Sequence, residues 1–136
     1  MKFKFEVPEL GEVKVSSKFR GEGRTRNFDR PHFRYQICVE TVNGKCYFMF
    51  HDSQYNWSRN QRLDLYGLVN AFDCIMSDIY CYINDEIYVD DEGDVNAYNR
   101  LERALKSEYD RMNHLIGQVS IDELNDCFVK AFEEYL

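Results

Sequence analysis

The sequence predicts an α+β domain in which a four-stranded antiparallel meander is followed by three helices packed on one of its faces. Three observations carry that expectation. Apolar and polar residues alternate with the period of two that marks strands over much of residues 2–51; Asn43-Gly44 punctuates them with a hairpin signal; and from Asp64 onward the apolar residues recur at steps of three and four. The 136 residues suit one domain, taken as 1–136, and 44% hydrophobic with 15% aromatic residues is ample to fill its core.

Lys2 to Val7 alternates strictly, with Phe3, Phe5 and Val7 on one side, and reads as a half-buried strand. Pro8 and Gly11 bracket a turn, after which Val13, Val15 and Phe19 continue the alternation in a second strand. Residues 20–32, RGEGRTRNFDRPH, read as a basic loop. His32–Val42 and Lys45–His51 flank Asn43-Gly44, both of which tolerate positive φ. Placing Val42 opposite Lys45 pairs Thr41 with Cys46, Val39 with Phe48 and Ile37 with Phe50. Phe33, Tyr35, Ile37, Val39, Thr41, Cys46, Phe48 and Phe50 then share the core face, and Arg34, Gln36, Cys38, Glu40, Tyr47, Met49 and His51 the other. Cys38 and Cys46 fall on opposite faces, which argues against a bridge.

The first helix is expected from Asp64, its N-cap, to about Asn84. Leu65, Leu68, Val69, Phe72, Ile75, Met76, Ile79 and Ile83 make its buried face, and Tyr66, Asn70, Asp73, Ser77, Tyr80 and Asn84 a polar ridge. NDEIYVDDEGD at 84–94 is an acidic connector. A second helix over Val95–Ile116 presents Tyr98, Leu101, Leu105, Tyr109, Met112 and Ile116 on one face, pairs Glu102 with Lys106, and stops at Gly117. Ser120 to Glu123 is a capping box opening a third helix that buries Leu124, Cys127, Phe128, Ala131 and Phe132.

The net charge of −7 is unevenly spread. Residues 1–62 hold 12 Lys and Arg against 7 Asp and Glu, whereas residues 63–136 hold 5 against 17, so the two halves carry +5 and −12. That polarity points to charged partners more than to an apolar small molecule. No run approaches the roughly 18 uncharged apolar residues of a membrane span, and MKFKFEV lacks the continuous apolar stretch of a signal peptide. The expected location is cytoplasmic. Five cysteines without C-x-x-C spacing fit reduced thiols.

Enzyme and metal signatures are weak. His51 and Asp52 are adjacent on a strand and so face opposite ways; Asp73 and Asp78 lie about 140° apart around a helix, and their carboxylates diverge. DDEGD misplaces the glycine of a calcium loop, and no histidine stands at ligand spacing from a cysteine. No cofactor or metal is expected, and no enzymatic activity. Two binding surfaces remain. Asp73, Asp85, Glu86, Asp90, Asp91, Glu92 and Asp94 form an acidic one, with Tyr80 and Tyr88 as aromatic anchors. Arg20, Arg24, Arg26, Arg30 and Arg34, with Trp57 to stack on bases, form the alternative, a nucleic-acid site. Phe132, Tyr135 and Leu136 leave room for a homodimer.

FMFHDSQYN at 48–56, followed by LYGLVNAFDCIMSDIYCYIND at 65–85, resembles small proteins encoded by bacteriophages and related mobile elements. Phe50, Asp52, Ser53, Asn56, Leu68, Cys74, Asp78 and Tyr82 carry the resemblance, which covers the middle of the chain. It brings no activity with it; it implies a bacterial host cell and a host or defence protein as partner. The expectation is an acidic inhibitor that occupies the nucleic-acid-binding surface of a host protein, a CRISPR effector among them, with carboxylates presented where a phosphate backbone would lie.

Overall fold

A computed structural model describes residues 2–23, 32–52, 63–87 and 95–136. β1 (Lys2–Val7), β2 (Gly11–Gly23), β3 (His32–Thr41) and β4 (Gly44–Asp52) form one antiparallel sheet in that order, and α1 (Leu65–Ile83), α2 (Val95–Ile116) and α3 (Ile121–Tyr135) follow it. The helices cover one face: α1 touches every strand, α2 lies along β3 and β4, and α3 against β1. The expected architecture is the observed one.

The core is the seam between the layers. Phe5, Val13, Val15, Ile37, Val39 and Phe48 on the sheet meet Leu68, Phe72, Ile75, Met76 and Ile79 of α1, all buried. Phe128 of α3 ties the seam to β1, with ring centroids 4.6 Å from Phe72, 5.7 Å from Phe5 and 5.8 Å from Phe3. Asp64 caps α1 as expected, its Oδ1 accepting from the Gly67 N–H at 2.8 Å. The buried face of α1 includes Gly67 and Ala71, where small side chains let the helix sit close, while Ile83 runs past the sheet and is 46% exposed. Ser120 caps α3.

The structure corrects three local expectations. The first is the hairpin register: Thr41 pairs with Gly44, Val39 with Cys46, Ile37 with Phe48 and Tyr35 with Phe50, two residues away from the pairing expected. A slip of two preserves the faces, because side chains alternate with period two, so the expected inner residues do face the helices. The tertiary structure selects this register. Thr41 Oγ1 donates to the Leu115 carbonyl at 2.6 Å and Asn43 Nδ2 to the same oxygen at 3.0 Å, while the Asn43 N–H donates back to Thr41 Oγ1 at 3.1 Å. Leu115 O belongs to the last turn of α2, where carbonyls have no helical partner, so the hairpin tip closes the end of that helix. Gly117 makes room: it takes φ +62, and a Cβ there would stand 3.3 Å from Asn43 Nδ2.

The second correction is the reach of β2, which continues through residues 20–23 beyond a bulge and places Arg20 in a strand. The third concerns α2. Only Leu105, Met112, Leu115 and Ile116 are buried, because the amino-terminal half extends past the sheet and leaves Leu101 exposed. Lys106 pairs with Asp110 at 3.0 Å in place of Glu102.

The open edge of β4 is held by Arg111. Its guanidinium donates to the Tyr47 carbonyl and lies 4.6 Å from the centre of the Phe48 ring, so a helix side chain takes one outward carbonyl of an otherwise unpaired edge. Thr41→Val should lower unfolding free energy by about 1–2 kcal/mol, since it keeps the shape but removes the shortest bond to Leu115 O. Urea denaturation checks this; an unchanged midpoint would show that Asn43 alone suffices to close α2.

Candidate functional site

The apolar seam admits little charge, so each layer turns its ionised residues outward, and the layers differ in sign. The predicted acidic residues begin on α1. Asp73 is exposed on the outward ridge with Ser77, and Asp85 and Glu86 are exposed just beyond the helix end. Asp85 takes φ +55 while the Glu86 N–H bonds the Cys81 carbonyl at 2.9 Å and the Asp85 N–H the Tyr82 carbonyl at 3.3 Å. This is the left-handed exit that glycine favours, held here by an aspartate. The acid is thereby fixed at the negative end of the helix dipole, an unfavourable place for a carboxylate.

Tyr80, predicted as a free anchor, is a tie between helices. Its hydroxyl donates to Asp122 Oδ1 at 2.8 Å, and its ring packs against the core. Burial, the bond to Asp122, and the charges of Asp122 and Asp126 push the phenol up to about 12, so it remains a neutral donor. Through this bond Asp122 and Asp126 of α3 join the α1 acids. Sequence reading missed both. The capping box places Asp122 in the first turn of α3, with Asp126 one turn further on, but only the packed structure shows that this turn abuts Tyr80. Tyr80, Asn84, Tyr109, Asn113, Ser120 and Asp122 line a depression of about 320 Å³ where the three helices meet. Tyr88, Asp90, Asp91, Glu92 and Asp94 lie outside the described residues.

Among the described residues the acids of this surface have no cationic neighbour close enough to pair. The one salt bridge in the helical layer among the described residues is Lys106 to Asp110, and Arg111 is turned into the edge of the sheet. No sheet guanidinium among the described residues forms a salt bridge with the helices.

Asp78 and Glu108 form a separate feature between α1 and α2. Burial raises the Asp78 carboxyl; burial and then the charge of Asp78 raise that of Glu108, with Arg111 pulling the other way. Glu108 Oε2 is buried without a hydrogen bond. Asp78 is itself exposed to solvent, so of the two it is Glu108 whose carboxyl is held within the helix junction. Cys74 is raised by burial first and then by Asp73, Asp78 and Asp52, the opposite of an activated thiol.

The open sheet face carries the arginine alternative only in part. Arg20 and Arg34 are exposed there, whereas Arg24, Arg26, Arg30 and Trp57 lie outside the described residues. His51 is exposed and Asp52 buried, on opposite faces as their adjacency requires. Among the described residues no three His, Cys, Asp or Glu side chains converge to hold a metal, and no helix is long and apolar enough to cross a membrane. Of the apolar residues at the end of α3, Phe132 packs edge-on against Phe3 and Tyr66, while Tyr135 and Leu136 are exposed.

Glu108→Gln should raise the melting temperature at pH 7 by a few degrees. A carboxyl raised in the folded state binds protons more tightly than in the unfolded chain, so its contribution to stability falls as pH rises from the ordinary carboxyl range, near 4, through the raised value. The glutamine variant should therefore match the parent near pH 4 and exceed it at pH 7. Melting curves across that range check it, and equal effects at both ends would remove the carboxyl's charge as the cause.

No family model matches the chain, and no curated protein or solved structure is significantly similar to it. The likeness to phage-encoded proteins accordingly rests on the residues quoted for it.

Proposed function

We propose that this protein is a non-enzymatic binding protein of phage type that inhibits a nucleic-acid-handling host protein by laying its acidic helical layer on the partner's basic surface. One observation supports the reading above the others: Asp73, Asp85, Glu86, Asp122 and Asp126 lie on the helical layer without a salt bridge among the described residues. Uncompensated carboxylates on well-packed helices act together on a cationic visitor within a Debye length, about 8 Å at physiological salt. They can stand in for the phosphates that such a surface normally receives, and they speed encounter more than they deepen the final contact.

The tie between Tyr80 and Asp122 adds rigidity. It fixes the first turn of α3 against α1, so the acids of two helices keep one spacing without a side-chain ordering cost on binding. Asp78 and Glu108 are set apart from this surface, at the junction with α2. The phage resemblance supplies the setting and makes a CRISPR effector the first partner class to test.

The test is retention on an immobilised basic nucleic-acid-handling enzyme at low and moderate salt. Retention should fall steeply with salt, and the quadruple variant Asp73→Asn, Asp85→Asn, Asp122→Asn, Asp126→Asn should weaken it about tenfold or more. The last two substitutions are also to be made alone, with melting temperatures measured, because Asp122 holds Tyr80. Undiminished retention by a folded quadruple variant would remove the helical acids from the site.

A further inference from the structure

The strand register makes the open sheet face a grid whose two ends differ. Toward the β3–β4 hairpin, Lys4, Lys14, Glu40 and Lys45 lie in one row across all four strands, beside a row of Glu6 and Glu12. These three lysines and three glutamates balance, and two of the lysines are paired: Lys14 with Glu12 at 3.5 Å and Lys45 with Glu40 at 3.6 Å. At the opposite end, Lys18 pairs across to Gln36 and Met49, and the bulge sets Arg20 and Gly21 together against Arg34, which faces His51. Among the described residues no acid shares that end of the open face: Glu22 falls opposite Phe33 at a helix-facing register position, and Asp52 is buried inward.

Lys18, Arg20 and Arg34 are exposed and make no salt bridge with any described residue. The bulge concentrates the charge. It inserts one residue between Phe19 and Gly21, so two β2 positions oppose one on β3, and Gly21 at φ +116 leaves the Arg34 guanidinium 3.5 Å from where a Cβ would stand. Tyr47, in the row between the two ends, and Met49, in the row of Lys18, are 47% and 48% exposed on β4. Three unpaired cations and an exposed aromatic ring on a flat surface match the two features of an extended polyanion with stackable rings.

We infer that the open face of the sheet binds single-stranded nucleic acid, with Lys18, Arg20 and Arg34 holding the backbone phosphates and Tyr47 stacking on a base. A duplex has its bases already stacked and offers Tyr47 nothing. The preference is for the single strand, and it follows charge and ring position without base-edge readout. The site is distinct from the acidic layer and lies on the opposite side of the molecule, so the two surfaces work independently.

Fluorescence anisotropy of a short labelled oligothymidylate, titrated with the full chain at low and then rising salt, tests this. Binding should weaken with salt, and Arg20→Gln with Arg34→Gln should lower the magnitude of the slope of log affinity against log salt by about 1.4. Tyr47→Ala should weaken binding about tenfold and leave that slope unchanged. The double variant Lys4→Gln, Lys45→Gln, at the balanced end, should bind like the parent. All these positions are exposed, and a melting curve of each variant confirms that it is folded. Failure to bind at low salt, an unaltered affinity in the arginine variant, equal losses at both ends of the sheet, or displacement of the oligonucleotide by phosphatidylserine vesicles would overturn the assignment.

Discussion

One apolar seam governs the rest of the molecule. The inner residues of four strands and the buried face of α1 meet there, and a charge placed between them would lose its water without gaining a partner. Each layer therefore exports most of its ionised groups to its outer side, with Asp52 at the end of β4 a buried one. Among the described residues, the sheet half holds 7 Lys and Arg against 6 Asp and Glu and the helical half 5 against 13, so that export gives the two layers different exteriors. The helices become an acidic exterior and the sheet a more basic one, without long-range electrostatic design at any single residue.

The polar groups that do enter the seam's margins join elements end to end. Thr41 and Asn43 satisfy a carbonyl at the end of α2, Arg111 takes an outward carbonyl of β4, and the Tyr80 hydroxyl fastens α3 to α1. Each uses a donor to occupy an acceptor that secondary structure leaves over or that solvent would otherwise claim. Glu108 is the exception, a carboxyl raised by burial and then by the charge of Asp78, with its Oε2 unpaired. It is the place where the fold tolerates electrostatic cost.

The two exteriors present different recognition problems. On the helices, carboxylates from α1 and α3 are spaced by rigid backbone and by the Tyr80 tie, which suits a partner whose own surface is basic and broad. On the sheet, cations gather at the bulged end while the hairpin end balances three lysines against three glutamates, four of them in salt bridges. The asymmetry within that one face distinguishes a patch from a merely solvated surface, since a uniformly hydrated sheet would need no segregation of pairs from singles.

The strand alternation, the Asp64 cap and the Ser120 capping box made the order of elements, the meander and the two faces of the sheet legible without coordinates, because these depend on local periodicity and short-range hydrogen bonds. Charge polarity was legible for the same reason, as a property of composition. What escaped was everything set by residues far apart in the chain. The hairpin register depends on an oxygen 72 and 74 residues away from the side chains that choose it, and the enlargement of the acidic surface by Asp122 depends on a hydroxyl 42 residues distant. The crowding of Arg20 against Arg34 depends on a bulge that no composition signals. Periodicity fixes which way a side chain points; only packing decides what it meets, because the competing partners differ by a hydrogen bond or two and the winner is settled by the whole seam closing at once.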